Sequence, residues 1–241
     1  MHSAAPNAAP DLHHPAFQHL LNSHGALLFD FDGVIVDSEP LHYRTLAKAA
    51  ESIDLSFHSD EHGFFDEQAY VGFADRDAYA LLCARNKRNP DLAEFEALSQ
   101  RKWAITQTEI REGRLHAYLA TLTIIHHLHG KVPLAICSGA RRREILYILD
   151  HLGIADLFVG VVSADDVKNS KPAPESYLKG AALVGKEPAN CLAIEDSDKG
   201  VSAAKAAGVR TLAVGHSMGP ERLVLADWFA ESTASLLTVS S

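Results

Sequence analysis

The chain has 241 residues, 47% of them apolar and 22% charged, an ordinary globular composition that excludes the disordered, collagen-like and disulfide-scaffold classes. Lys and Arg number 22 against 31 Asp and Glu, and the resulting net charge of −9 lacks the basic footprint that tracks a phosphate backbone, which excludes nucleic acid as a main ligand. Cys83, Cys137 and Cys191 are an odd number at wide spacing with no C-x-x-C, and read as reduced thiols of a cytoplasmic protein. The apolar stretches fall short of a membrane span, and the first residues lack the basic start and long apolar run of a secretion signal, so no membrane partner is expected.

Residues 1–25, rich in Ala, Pro, His and Asn, read as a tail with a small apolar patch at Phe17, Leu20 and Leu21 that could make a helical turn or two. From Ala26 the character changes. Residues 26–31 are a short apolar run ending in acids, the pattern of a strand buried on both faces, and 132–137, 158–162, 191–194 and 210–214 resemble it. Helical patterns lie at 115–129, 141–152, 174–184 and 199–207, closed by Gly130, Gly153, Gly185 and Gly208 at C-cap positions. Alternating strands and helices predict an α/β fold with a doubly wound parallel sheet. Residues 41–113 break the rhythm, with helical patterns at 41–53, 75–86 and 91–110 and no buried strand. The expected organisation is therefore a discontinuous core (26–40 and 114–241) with an inserted helical domain at 41–113.

Open parallel sheets bind ligands outside the carboxyl ends of their strands, so the residues found there matter most. The first strand ends in Asp30-Phe31-Asp32-Gly33, the 132–137 strand in Ser138-Gly139, and the 191–194 strand in Glu195-Asp196-Ser197; Asp165, Asp166, Lys168 and Lys171-Pro172 follow the 158–162 strand. Asp30, Asp32, Glu195 and Asp196, a hydroxyl and a lysine would converge on one edge. Packed acids repel unless a cation neutralises them, and oxygen donors without Cys or His favour Mg²⁺. Each element also has a plain reading. An Asp after a strand commonly caps a helix or forms a turn, Ser138 could cap the helix beginning at Arg141, Asp196 or Ser197 could cap the one near Lys199, and Lys171 could be a solvated loop residue. Asp30 resists that reading, because it sits at the end of an apolar strand where an unpaired charge is costly.

Asp30-Phe31-Asp32-Gly33-Val34-Ile35-Val36-Asp37-Ser38-Glu39-Pro40-Leu41-His42 resembles motif I of the haloacid dehalogenase superfamily. Ser138 matches its motif II, Lys171 in Ser170-Lys171-Pro172-Ala173-Pro174-Glu175 its motif III, and Glu195-Asp196-Ser197-Asp198-Lys199-Gly200 its motif IV, all in order. The resemblance covers roughly residues 26–215 and is strongest to the β-phosphoglucomutase-like branch with a helical cap. It implies a Mg²⁺-dependent phosphatase for a small phosphorylated metabolite, with a sugar phosphate favoured, acting through an aspartyl phosphate. Asp30 would be nucleophile and Asp32 general acid and base. Asp30, the Asp32 main chain and Asp196 would hold the metal, with Glu195 as ligand or support, while Ser138, Gly139 and Lys171 would hold the phosphate. Asp32 argues for phosphate ester chemistry, since dehalogenases and phosphonatases lack an acid there. Residues 41–113 would be the mobile cap that excludes water and chooses substrate, with Ser38, Glu39 and Pro40 at its hinge and Pro40 suited to a first helical turn. His42, Gly72 and Arg76 would face the substrate, although the spacing after Gly72 departs from the mutase pattern in which an Arg grips a distal phosphate, and Arg76 could equally be a solvated residue pairing with Asp75 or Asp77.

The alternatives are a β-phosphoglucomutase, which returns the phosphoryl group to sugar, and more remotely a non-catalytic binding module on the same fold. The expected assembly is a monomer or weak dimer. The run from Gly180 to Lys186 imitates a Walker A loop but ends a helix where such a loop begins one, and Glu187 replaces its Ser/Thr. His126, His127 and His129 lack a carboxylate at metalloprotease spacing and suit a helix C-terminus.

Overall fold

The computed structural model describes Leu12 and residues 14–55 and 75–237. These form two compact units, one from the residues up to Val36 together with those from Ala117 onward, the other from Asp37–His116.

The first unit is built on a six-stranded sheet. Its strands are β1 (Ala26–Phe29), β4 (Leu134–Cys137), β5 (Gly160–Val162), β6 (Cys191–Glu195), β7 (Arg210–Val214) and β8 (Trp228–Ala230), in the order β5-β4-β1-β6-β7-β8 and all parallel. Every residue of β1, β4 and β6 is buried, as continuous apolar runs require when helices cover both faces. One face packs Leu28, Ala135, Cys137 and Ala193 under the helices α7 (Glu175–Leu183) and α8 (Asp198–Ala206), through Tyr177, Ala181, Ala203 and Ala204. The remaining core helices are α1 (Pro15–Asn22), α5 (Leu119–Leu128) and α6 (Arg142–Leu152). Gly130, Gly153, Gly185 and Gly208 all have positive φ just past helix ends, the backbone conformation that closes a helix. Chain order runs outward from β1 in both directions, so the topological switch lies between β4 and β6, with β1 at its centre.

Three features go beyond the sequence reading, the first being that the helical turn or two allowed at Phe17, Leu20 and Leu21 is a packed helix. Residues 15–22 of the expected tail are helical, and Ala16, Phe17 and Leu20 are fully buried, because their i, i+1, i+4 spacing makes one apolar stripe that α1 packs toward β6. Trp228–Ala230 adds a sixth strand beyond the five expected, paired in parallel with β7 through Leu212 and Trp228. The short pair β2 (Val36–Asp37) and β3 (His116–Ala117) also lies outside the sequence reading. Cys83, Cys137 and Cys191 carry free buried thiols. Among the described residues no helix is long and apolar enough to cross a membrane.

The second unit is helical among its described residues, with α2 (Glu39–Glu51), α3 (Asp75–Arg85) and α4 (Leu92–Arg111). Pro40 sits in the first turn of α2, and Asp91 caps α4 by accepting from the Glu94 amide at 2.8 Å. Leu46, Ala49 and Ala50 of α2 pack with Tyr79, Leu82, Phe95 and Leu98. Glu109, almost wholly buried, accepts from Lys48 at 2.6 Å and from Arg114 at 2.7 Å.

Candidate active site

The strand ends at the switch point carry the site. The Asp30 amide donates to the Ile194 carbonyl at 3.0 Å and the Ser138 amide to the Val162 carbonyl at 2.9 Å, so both residues extend the sheet ladder by one step and inherit its rigidity. Asp30, Ser138, Glu195 and Asp196 are all buried.

Asp30, Glu195 and Asp196 bring one carboxylate oxygen each to within 4.8 Å of one another. Lys171, arriving from the loop before α7, places its Nζ 2.8 Å from Asp30 Oδ1 and 2.6 Å from Glu195 Oε1. Glu195 is wholly inaccessible, and its oxygens accept from four donors: Lys171, the Tyr177 hydroxyl at 2.6 Å, the Asp196 amide at 3.2 Å and Ser197 Oγ at 3.2 Å. Gly200 makes room for it, since a β-carbon there would stand 2.0 Å from the Glu195 carboxylate. Ser217 Oγ donates to Asp196 Oδ2.

Three carboxylates against one ammonium leave two negative charges in a desolvated site. Burial and the Glu195 charge push the Asp30 carboxyl up to about 7, with Lys171 opposing. Burial, Asp30 and Glu195 likewise hold Asp196 well above the carboxylate range, against Ser217 and Lys171. Burial would lower Lys171, but Asp30 and Glu195 outweigh it and hold the ammonium above its ordinary range. Such a set of oxygen donors, short by two positive charges, fits a hard divalent cation.

The plain readings divide between the residues. Ser197 caps α8, accepting from the Gly200 amide at 3.1 Å, which leaves Asp196 to the carboxylate cluster. Ser138 does not cap α6; its Oγ accepts from the Ala140 amide at 2.9 Å in a tight turn. Gly139 beside it is exposed. Asp165 and Asp166 serve local structure, Asp165 accepting from the Arg142 amide and Asp166 from Ser163 and Arg142. Asp32 is half-buried and pairs with Val36, closing a turn in which the Gly33 amide donates to the Val36 carbonyl at 2.8 Å. Gly33 has φ +73°, and a β-carbon there would stand 1.7 Å from Asp196 Oδ2, so only glycine lets the turn and the carboxylate approach.

In the helical unit His42 lies in the first turns of α2, its Nδ1 3.3 Å from Nζ of the buried Lys102 on α4. Arg76 is exposed on α3, beside Tyr79, Leu92 and Phe95. Gly72 lies outside the described residues. Sequence reasoning missed Tyr177, Ser217 and Lys102. Tyr177 reads as a core aromatic, four residues before Ala181 on a buried stripe, and nothing near it in sequence announces Glu195 18 residues on.

The fold and this cluster of acids and lysine define an α/β protein with a charged candidate active site at the carboxyl ends of its strands. Residues 24–208 match the family model for haloacid dehalogenase-like hydrolases, and the chain belongs to that family. It is 29% identical over 186 residues to the fructose-1-phosphate phosphatase YqaB of Escherichia coli, covering 77% of this chain and 94% of that protein. It is 30% identical over 219 residues to the β-phosphoglucomutase of Bacillus subtilis, covering 88% and 91%. The solved β-phosphoglucomutase of Clostridium difficile superposes with a TM-score of 0.71 at 24% identity, over 87% of this chain and 91% of that one.

Proposed function

We propose that the protein is a Mg²⁺-dependent phosphatase that hydrolyses a small phosphorylated metabolite, a sugar phosphate, through an aspartyl phosphate on Asp30. The observation that carries this is the Asp30–Lys171–Glu195–Asp196 cluster at the switch point, with Asp32 two residues after Asp30. Similarity to a fructose-1-phosphate phosphatase supports the substrate class.

Asp30 attacks phosphorus in line with the leaving oxygen; a carboxylate–phosphorus bond forms as the ester P–O bond breaks. Asp32 gives its proton to the departing alkoxide, then takes one from the water that attacks the acyl phosphate. That second displacement releases inorganic phosphate and regenerates Asp30. Lys171 favours the ionised nucleophile, and with Ser138 and the Gly139 amide it holds the non-bridging oxygens. Asp30, the Asp32 main-chain carbonyl and Asp196 would hold Mg²⁺, whose charge offsets repulsion between the carboxylate nucleophile and the phosphate. Glu195, its oxygens already taken by four donors, suits support of the site better than direct ligation. The helical unit, inserted just after the loop bearing Asp30 and Asp32, is assigned to substrate selection, with His42 and Arg76 as its contributing residues.

The test is phosphate release, with and without Mg²⁺, from a panel of sugar and short-chain phosphates, run beside β-glucose 1-phosphate plus glucose 1,6-bisphosphate with glucose 6-phosphate as readout. Mg²⁺-dependent release from one compound class is expected. Little release with rapid formation of glucose 6-phosphate would make the protein a mutase, and inactivity in both assays would favour a binding module.

A further inference from the structure

The loop after β7 carries His216 and Ser217, which no catalytic motif includes, yet both reach the place where Gly33 meets Asp196. Ser217 Oγ donates to Asp196 Oδ2, while His216 Nδ1 lies 2.7 Å from the carbonyl oxygen of Gly33. The Thr233 amide donates to His216 Nε2 at 3.0 Å. A backbone N–H can only donate, so Nε2 is the acceptor and Nδ1 carries the proton that it donates to Gly33. The imidazole stacks on Tyr118, with ring centroids 3.9 Å apart and planes 12° from parallel, and the Tyr118 amide donates to the Ile35 carbonyl at 3.0 Å. Thr121 Oγ1 donates to the carbonyl between them, that of Val34, at 2.7 Å.

Three successive carbonyls of the turn that follows Asp32 are thus held by three donors from outside it. Those from α5 and the residue before it hold Val34 and Ile35. Among the described residues His216 is what holds the carbonyl of Gly33, the residue next to Asp32, whose left-handed backbone is packed against Asp196. We propose that His216 is a positioning residue for the reaction: its Nδ1–H fixes the Asp32–Gly33 turn against Asp196 and thereby sets the aim of Asp32. The assignment rests on Asp32 serving as acid and base, as proposed above.

Two amide side chains separate this role from a merely structural one. In His216→Asn the side-chain NH₂ falls where Nδ1 stood and can donate to Gly33. In His216→Gln the amide reaches the place of Nε2 and can accept from Thr233. Both lose the stack on Tyr118, so that loss cancels in the comparison. The readouts are amide exchange over residues 30–36, by mass spectrometry, and kcat and KM on the best ester of the wild type. Asn should keep exchange and kcat within about threefold of wild type, whereas Gln and Ala should exchange about tenfold faster or more and lose about tenfold or more in kcat at nearly constant KM. Equal behaviour of Asn and Gln in exchange, whether both normal or both impaired, would overturn the assignment. A wild type that releases no phosphate while exchange follows the predicted pattern would instead refute the phosphatase reading and leave the anchoring of the turn standing.

Discussion

The ammonium of Lys171 lies 2.8 Å from the carboxylate of Asp30, a residue 141 positions away in sequence, with Asp30 buried and Lys171 largely so at the carboxyl ends of the strands. The same ammonium bonds Glu195, so one cation compensates two carboxylates. Removing one partner of a buried pair strands the other, at a cost of about 3–5 kcal/mol. Lys171→Met should therefore lower the melting temperature as well as abolish phosphate release. Calorimetry showing unchanged stability would contradict the pairing.

The pH dependence of stability follows from the same cluster. Without a divalent cation, burial and Glu195 raise folded Asp30 to about 7, well above its ordinary value of 3.8, even with Lys171 opposing. The folded state then holds a proton that the unfolded chain has lost, so this group's contribution to stability is greatest below about pH 4 and falls as pH rises toward 7. Mg²⁺ must displace that proton. The rise in melting temperature on adding Mg²⁺ should accordingly be larger near pH 8 than near pH 5.5, and equal shifts at both would count against metal binding at Asp30.

Asp32→Asn removes the proton donor to the leaving alcohol. The loss in kcat/KM, about 10²–10⁴-fold for a sugar phosphate, should shrink for an aryl phosphate, whose leaving group departs without protonation. Equal losses across leaving groups would remove Asp32 from the acid role.

Gly200→Ala tests the packing beneath the site. The added methyl would stand 2.0 Å from the Glu195 carboxylate, whose four hydrogen bonds resist displacement. A loss of about 1–3 kcal/mol in stability, with falling activity, is expected in chemical denaturation.

The sheet was legible in the sequence because buried parallel strands are continuous apolar runs, and β1, β4, β6 and β7 announce themselves that way. Trp228–Ala230 did not, being three residues between Asp227 and Glu231 at a sheet edge, where one flank needs no apolar cover. The helix at Pro15–Asn22 was half-visible in Phe17 and Leu20, but composition around it argued for a tail, and only the receiving surface decides whether so short a stripe is buried.

Asp30 was legible because a carboxylate at the end of an apolar strand demands a chemical reason, whereas Lys171 and the Glu195-Asp196 pair, each with a plain loop or capping reading, stood out through the resemblance of their motifs. Tyr177, His216 and Ser217 were not, since each acts through a partner brought near only by the fold, 18 residues away for Tyr177 and Glu195 and 183 for His216 and Gly33. Asp165 and Asp166 had the same sequence appearance as the site acids and went to capping, because Ser163 and Arg142 stand within reach of them.

Phosphate release by Asp30→Asn, on the ester the wild type cleaves fastest, tests the proposed mechanism most directly, because the substitution removes the nucleophile and keeps its volume. With an unchanged circular dichroism spectrum, the account predicts a loss of about 10³-fold or more. Turnover within about tenfold of wild type would contradict it.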